Sequence, residues 1–250
     1  MLTSSSKSTS TWITLWFMIY FTETELNIPW HILLIYGDIM GMQFARTKLI
    51  QRLTQEIKDR KVLGVMNRIP REMFVPLASQ HLAYEDIPLP IELGQTISQP
   101  FIVALMTEAL ELEGNEKVLE LGTGSGYQAA ILCELAQWVV SVERHRTMIR
   151  KAKEILAKLG YSNFELHLAE SRLGWPKDAP YDAILVTAGA PAVSEELLDQ
   201  LCDGGRMVIP VGSRYEQDLL KVVKRSKKHI IINLGGCRFV PLIGERAWEE

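Results

Sequence analysis

The 250-residue chain is short of several things, and each shortage argues against a class of protein. It has three cysteines, Cys133, Cys202 and Cys237, far apart and without a CxxC pair. A disulfide framework or a cysteine zinc site is not expected, and a reducing cytoplasmic compartment fits. The five histidines (His31, His81, His145, His167 and His229) show no metal-ligand spacing, so no metal is expected. Positive charge is not in excess. At a formal net charge of -3, no global field draws in nucleic acid or an anionic membrane. The basic stretch KVVKRSKKH reads as a solvated hairpin turn whose charges discourage edge pairing. No apolar run reaches the roughly 20 residues of a spanning helix. WITLWFMIYF (residues 12–21) and ILLIY (residues 32–36) are both shorter, and TETELN follows the first of them. Lys7 is the only early base and no A-x-A site follows, which does not match a signal peptide. There is no internal repeat and no low-complexity linker.

What is present divides at about residue 42. Three readings stay open for residues 1–41. A translation start placed too far upstream is favoured, because Met40 and Met42 stand just before the first patterned segment. A loose or weakly membrane-associating extension and a true anchor are the others. Residues 42–250 are expected to form a single domain, opened by a helical and loop-rich cap over residues 42–100. Within the cap, Leu49, Ile50, Leu53 and Ile57 recur at helical spacing in QFARTKLIQRLTQEIKDRKVLGVM, with Glu56 and Arg60 as an i,i+4 pair. This predicts one amphipathic helix. The following segment, RIPREMFVP to LPIELG, is rich in proline and lacks a period. FIVALMTEALELE is again helical, with Pro100 suited to its first turn and Ser98 to an N-cap. The N-terminus of that helix would favour an anion.

From Lys117 strands and helices alternate. KVLELG, WVVSVE, FELHLAE, DAILVTA and RMVIPVG read as strands, and residues 127–136, 146–159 and 194–201 as helices. Near-continuous Val/Ile/Leu strands predict a mostly parallel sheet with helices on both faces. DLLKVVKR, HIIINLGG and CRFVPLIG then read as β segments, predicting an antiparallel hairpin at the sheet edge.

VLELGTGSGYQAA follows a predicted strand and opens a helix, the setting in which a glycine-rich loop carries meaning. Its glycines, Gly122, Gly124 and Gly126, give G-x-G-x-G, whereas dinucleotide binders use G-x-G-x-x-G. Glu120, two residues before the first glycine, suits an ammonium better than a pyrophosphate. Glu143 ends the second strand about 20 residues further on, where an acid can accept hydrogen bonds from both ribose hydroxyls. Gly122, Glu143 and Glu170 all fall at carboxyl ends of predicted strands. The expected ligand is S-adenosyl-L-methionine on a Rossmann-like sheet. The preceding loop, LPIELGQTISQP, supplies hydroxyls and two amides but no His, Lys or Cys.

In these residues the chain resembles the protein-L-isoaspartate O-methyltransferase family. RIPREMFVP, GQTISQP, VLELGTGSGYQAA, SVER, APYDAILVTA and RFVPL occur in order, and the likeness covers roughly residues 42–244. It implies a class I methyltransferase that is monomeric and cytosolic. The implied substrate is the free carboxylate of L-isoaspartyl residues in damaged proteins, methylated from S-adenosyl-L-methionine as the first step of repair. Neither nucleic acid nor stable membrane association is expected. It gives Ser98 the active-site role beside Thr96, and has Gln95, Thr96, Ile97 and Ser98 line cofactor and substrate. Thr123 and Arg144 join Glu120, Gly122, Gly124, Gly126, Glu143 and Glu170 as cofactor residues, and residues 238–242 as shapers of a substrate groove. Trp175 is expected to pack under the adenine-side loop. One stretch departs from the pattern: Ala169-Glu170-Ser171 stands where the family usually has Gly-Asp-Gly. That leaves open a methyltransferase of another acceptor, or a weakened paralogue that only binds the cofactor.

Overall fold

The computed structural model describes the backbone of residues 30–249 apart from 227 and 246, with side chains from Met40 onward. The apolar run at residues 12–21 lies outside the described residues. No helix among those described is long and apolar enough to cross a membrane. Two compact units are present, one ending at Thr47 and one beginning at Lys48.

Helix α1 (Trp30–Leu53) and helix α2 (Arg60–Arg68) replace the single helix expected across this region. The break has two causes. The Asp59 carboxylate accepts from the N–H groups of Lys61 (2.7 Å) and Val62 (3.2 Å), an N-cap that starts a new helix. Glu108, fifty residues away, accepts from the N–H groups of Lys58 (2.6 Å) and Asp59 (2.7 Å), which a continuous helix would have used. Glu56 is left in the intervening turn and Arg60 opens α2, so their i,i+4 geometry is lost.

The LPIELGQTISQP segment, residues 89–100 and called the acceptor loop below, holds a small antiparallel ribbon of β1 (Leu89–Pro90) and β2 (Thr96–Ile97). Its turn places Leu93 at φ 57° and Gly94 at φ 70°. Helix α3 (Pro100–Ala109) follows with Pro100 in its first turn. Its N-cap is Gln99 rather than Ser98, and no cap side chain bonds the helix. Asp86 serves instead: its carboxylate accepts from Phe101 N (2.8 Å) and from Gln99 Nε2 (3.1 Å). The anion expected at this helix end is thus supplied by the chain itself.

Seven strands form the main sheet, in the order β5-β4-β3-β6-β7-β8-β9. They are β3 (Lys117–Leu121), β4 (Trp138–Glu143), β5 (Phe164–Leu168), β6 (Tyr181–Val186), β7 (Leu201–Gly212), β8 (Gln217–Arg225) and β9 (Lys228–Cys237). The pairs among β3 to β7 are parallel, and β7–β8–β9 are antiparallel. Helices α4 (Tyr127–Leu135), α5 (Arg146–Lys158) and α6 (Glu195–Gln200) connect the parallel strands. Val118, Leu119, Val139, Val140, Ile184 and Leu185 are wholly buried, the double-faced burial that their unbroken apolar runs predict. CRFVPLIG is not a third hairpin strand. It makes isolated bridges, Gly189 with Pro241 and Ile243 with Trp248. The Gly189 N–H donates to Val240 O and the Leu242 N–H to Gly189 O, both at 2.8 Å. The segment is drawn away from the edge and across the end of β6.

Candidate active site

The chain runs β3, β4, β5 outward on one side and then resumes at β6 on the other side of β3. That reversal leaves a crevice beyond the strand ends, where open α/β sheets bind ligands. A cavity occupies it. It is lined by Leu121 of β3 and Gly122 just after it, by Val142 and Glu143 of β4, and by Thr187 and Ala188 after β6. Gln95, Thr96, Ile97 and Ser98 of the acceptor loop line it as well. So do Val240, Pro241 and Leu242, whereas Arg238 of the same segment is not among the lining residues.

The glycine loop is shaped by close approach. Gly122 sits at φ 96°, and a Cβ there would come within 2.3 Å of Thr187 Oγ1. The Thr187 hydroxyl donates to Leu121 O (2.9 Å) and Gly122 O (2.8 Å), tying the loop to the end of β6. Gly124 takes φ 52°, which favours glycine for its backbone alone, since a Cβ would meet nothing nearer than 3.9 Å. Its N–H donates to Glu143 Oε2 (3.0 Å), and His145 N donates to Glu143 Oε1 (2.9 Å). Glu143 is thereby fixed at the mouth of the loop with one donor on each oxygen. A carboxylate accepts about four hydrogen bonds, so capacity remains for a ligand's hydroxyls. Thr123 and Arg144 also line the cavity.

Two expected cofactor residues lie elsewhere. Glu120 does not line the cavity. It is still inside β3, where side chains stand perpendicular to the sheet, and its register partner is Ser141 of β4. The Ser141 hydroxyl donates to Glu120 Oε2 and shares a hydrogen bond with Thr123 Oγ1. Glu120 Oε1 is buried without a hydrogen-bond partner among the described residues. Burial pushes the Glu120 carboxyl up to about 8, so at neutral pH it mostly holds a proton. Glu120 therefore reaches the cavity only through Ser141 and Thr123. Gly126 is the other. It opens α4 at φ 88°, and a Cβ there would stand 3.0 Å from the Ala152 Cβ of α5. Its job is helix packing.

Ala169 and Glu170 after β5 both line the cavity. Neither Ala169 nor Ser171 takes a left-handed backbone, so this loop does not need the two glycines. Lys177 Nζ lies 2.6 Å from Glu170 Oε1 and 4.4 Å from the centroid of the Trp175 ring. Trp175 stacks on His167 at 3.9 Å and 9°. Glu165, His167 and Asp178 bring one possible metal donor each within 4.8 Å of one another. Sequence spacing gave no hint of that cluster, because Asp178 arrives from a different loop.

Sequence reading passed over three contributors. Asp86 sits in an aperiodic stretch and Thr187 looks like any strand residue. Arg71 lies within the quoted RIPREMFVP but had no assigned role, and it proves wholly buried.

The family model of protein-L-isoaspartate(D-aspartate) O-methyltransferase matches residues 44–247. The chain belongs to this family. The protein-L-isoaspartate O-methyltransferase 1 of Syntrophobacter fumaroxidans is 51% identical over 213 residues, which is 84% of this chain and all of that one. A solved protein-L-isoaspartate O-methyltransferase superposes with a TM-score of 0.72 at 32% identity, covering 81% of this chain and 67% of the other. A Plasmodium falciparum structure, assigned to the same activity and solved with S-adenosyl-L-homocysteine, gives a TM-score of 0.66. At 23% identity, over 78% of this chain and 96% of that one, it bears on the fold alone. Within the methyltransferase family, the chain keeps the glycine loop and the acceptor loop on one cavity, and the Ala169-Glu170-Ser171 stretch still lies beside them.

Proposed function

We propose that this chain methylates the free carboxylate of L-isoaspartyl residues in damaged proteins and peptides, with S-adenosyl-L-methionine as donor, and so begins their repair. One observation carries the reading: the glycine loop and the hydroxyl-bearing acceptor loop line the same cavity.

The residues present fit the donor. Gly122 leaves no room for a side chain against Thr187, Gly124 takes a left-handed turn that favours glycine, and Glu143 keeps acceptor capacity for ribose hydroxyls. Thr123, Arg144, Ala169 and Glu170 complete that side. When bound, S-adenosyl-L-methionine supplies an electrophilic methyl group on a sulfonium. The acceptor needs no general base, because a free carboxyl group has a pKa near 4 and is ionised at neutral pH. The chain's task is placement and the exclusion of water. The Thr96 and Ser98 hydroxyls donate to the acceptor carboxylate and orient it without neutralising it, as a lysine would. Leu121, Val103, Met106 and Leu242 provide apolar wall. Residues 42–250 act as one methyltransferase domain with residues 42–100 as its cap. The protein works as a cytoplasmic monomer, without nucleic acid or stable membrane association.

Two substitutions separate the two sides of the cavity. Ser98→Ala is expected to lower methyl transfer about 10- to 100-fold with little change in S-adenosyl-L-homocysteine affinity. Glu143→Ala is expected to weaken that affinity about tenfold or more. Calorimetric titration beside a methyl-transfer assay reads both. Equal loss of binding and transfer in Ser98→Ala, or unchanged affinity in Glu143→Ala, would contradict the assignments.

A further inference from the structure

Arg71 is a cation with no exposed surface, held outside the cavity behind the acceptor loop. Its Nε donates to Ala83 O (2.9 Å) and its Nη2 to Ser98 O (2.8 Å). The guanidinium carbon lies 4.8 Å from the centroid of the Tyr127 ring, and Tyr127 lines the cavity. Nη1 is buried without a hydrogen-bond partner among the described residues. Taking a guanidinium out of water is costly, and the Tyr127 side chain and the nearby Asp86 charge offset only part of that cost. Two backbone carbonyls are also acceptors that neutral donors satisfy. Stability alone is therefore a poor account of a full charge at this place.

Its geometry points to a different account. A planar guanidinium holds two acceptors at a fixed angle, which an ammonium does not. One acceptor is the Ala83 carbonyl and the other is the carbonyl of the residue whose hydroxyl is offered to the acceptor carboxylate. Asp86 grips the residues that follow, through Gln99 Nε2 and Phe101 N. The Ser98 peptide is thus held through its own carbonyl and through the helix start after it, and Ser98 lines the cavity. We propose that Arg71 is the positioning residue of the methyl-transfer site, setting the Ser98 peptide from behind through its fork to Ala83 and Ser98. It touches neither donor nor acceptor. The inference rests on the reaction proposed above.

The test uses full-length Arg71→Lys and Arg71→Ala beside wild type. Transfer to an L-isoaspartyl peptide and S-adenosyl-L-homocysteine binding are both measured. Misplacement by about an ångström costs roughly 100-fold in rate, so kcat is expected to fall by about that factor in Arg71→Ala and at least tenfold in Arg71→Lys. Kd for S-adenosyl-L-homocysteine should stay within about threefold. Millimolar guanidinium should restore part of the rate to Arg71→Ala, whose side-chain volume is vacated, and none to Arg71→Lys. The inference is overturned if kcat is unchanged in both variants, or if binding and transfer fall together without rescue. Failure of both variants to fold would also overturn it, placing Arg71 in the fold and not in the reaction. A wild type that binds S-adenosyl-L-homocysteine yet methylates no isoaspartyl peptide would overturn the functional reading and this inference with it.

Discussion

Glu120 shows how the face of a strand decides a residue's work. It lies two residues before the glycine loop, but the sheet turns its carboxyl onto Ser141 instead of into the cavity. Its carboxyl is raised from an ordinary 4.5 to about 8 by burial. Between those values the folded state binds a proton that the unfolded chain has released, so folding stability falls as pH rises through that window. Glu120→Gln removes the titration. The melting temperature of the variant relative to wild type is expected to climb from pH 5 to pH 8, by about 2–4 °C for each kcal/mol of relieved burial. A difference that is flat with pH would show that Glu120 stays ionised. Residue by residue, Gly122, Gly124 and Glu143 were legible in the sequence because their demands are local: a left-handed turn, a bare backbone, an acid at a strand end. Glu120 and Gly126 were not, since strand facing and the approach of Ala152 are set by tertiary packing. Arg71 was hidden for a related reason, as sequence rarely distinguishes a buried arginine from a surface one.

At the scale of elements, strand and helix order from Lys117 onward follows the hydrophobic pattern closely, because double-faced burial leaves little choice of period. The departures all trace to partners from distant sequence. Glu108 takes the N–H groups that would have joined α1 to α2. Asp86 takes the N-cap that Ser98 was expected to fill. The Gly189 loop captures residues 240–242 before they pair as a strand. Asp86 gives the clearest prediction here. Asp86→Ala uncaps α3 and is expected to cost about 1 kcal/mol of stability. It should also lower methyl transfer, because the same carboxylate steadies Gln99 beside Ser98. Denaturant unfolding and the transfer assay measure the two effects. Loss of stability with full activity would mean that the loop does not depend on its cap.

At the scale of the whole molecule, the sheet ends on β9, where Ile230, Ile231 and Ile232 are 51%, 56% and 43% exposed. An exposed apolar edge invites pairing. Against that stand Arg225 and Lys228, paired across the turn that begins the strand, and the short length of the apolar stretch. Sedimentation velocity is expected to give one species of about 28 kDa, the mass of a single chain. A species of twice that mass would contradict the monomer and place β9 first among candidate interfaces.

The central claim is that a carboxylate presented by Ser98 and Thr96 is methylated only where damage has created an L-isoaspartyl residue. Two synthetic peptides, identical except for L-isoaspartate or L-aspartate at one position, test it most directly. Each is incubated with purified protein and S-adenosyl-L-methionine labelled in its methyl group, and base-labile label is counted. Label on the isoaspartyl peptide alone is the predicted result, and it would also show that Ala169-Glu170-Ser171 serves in place of Gly-Asp-Gly. Label on both peptides alike, or on neither while S-adenosyl-L-homocysteine still binds, would contradict it.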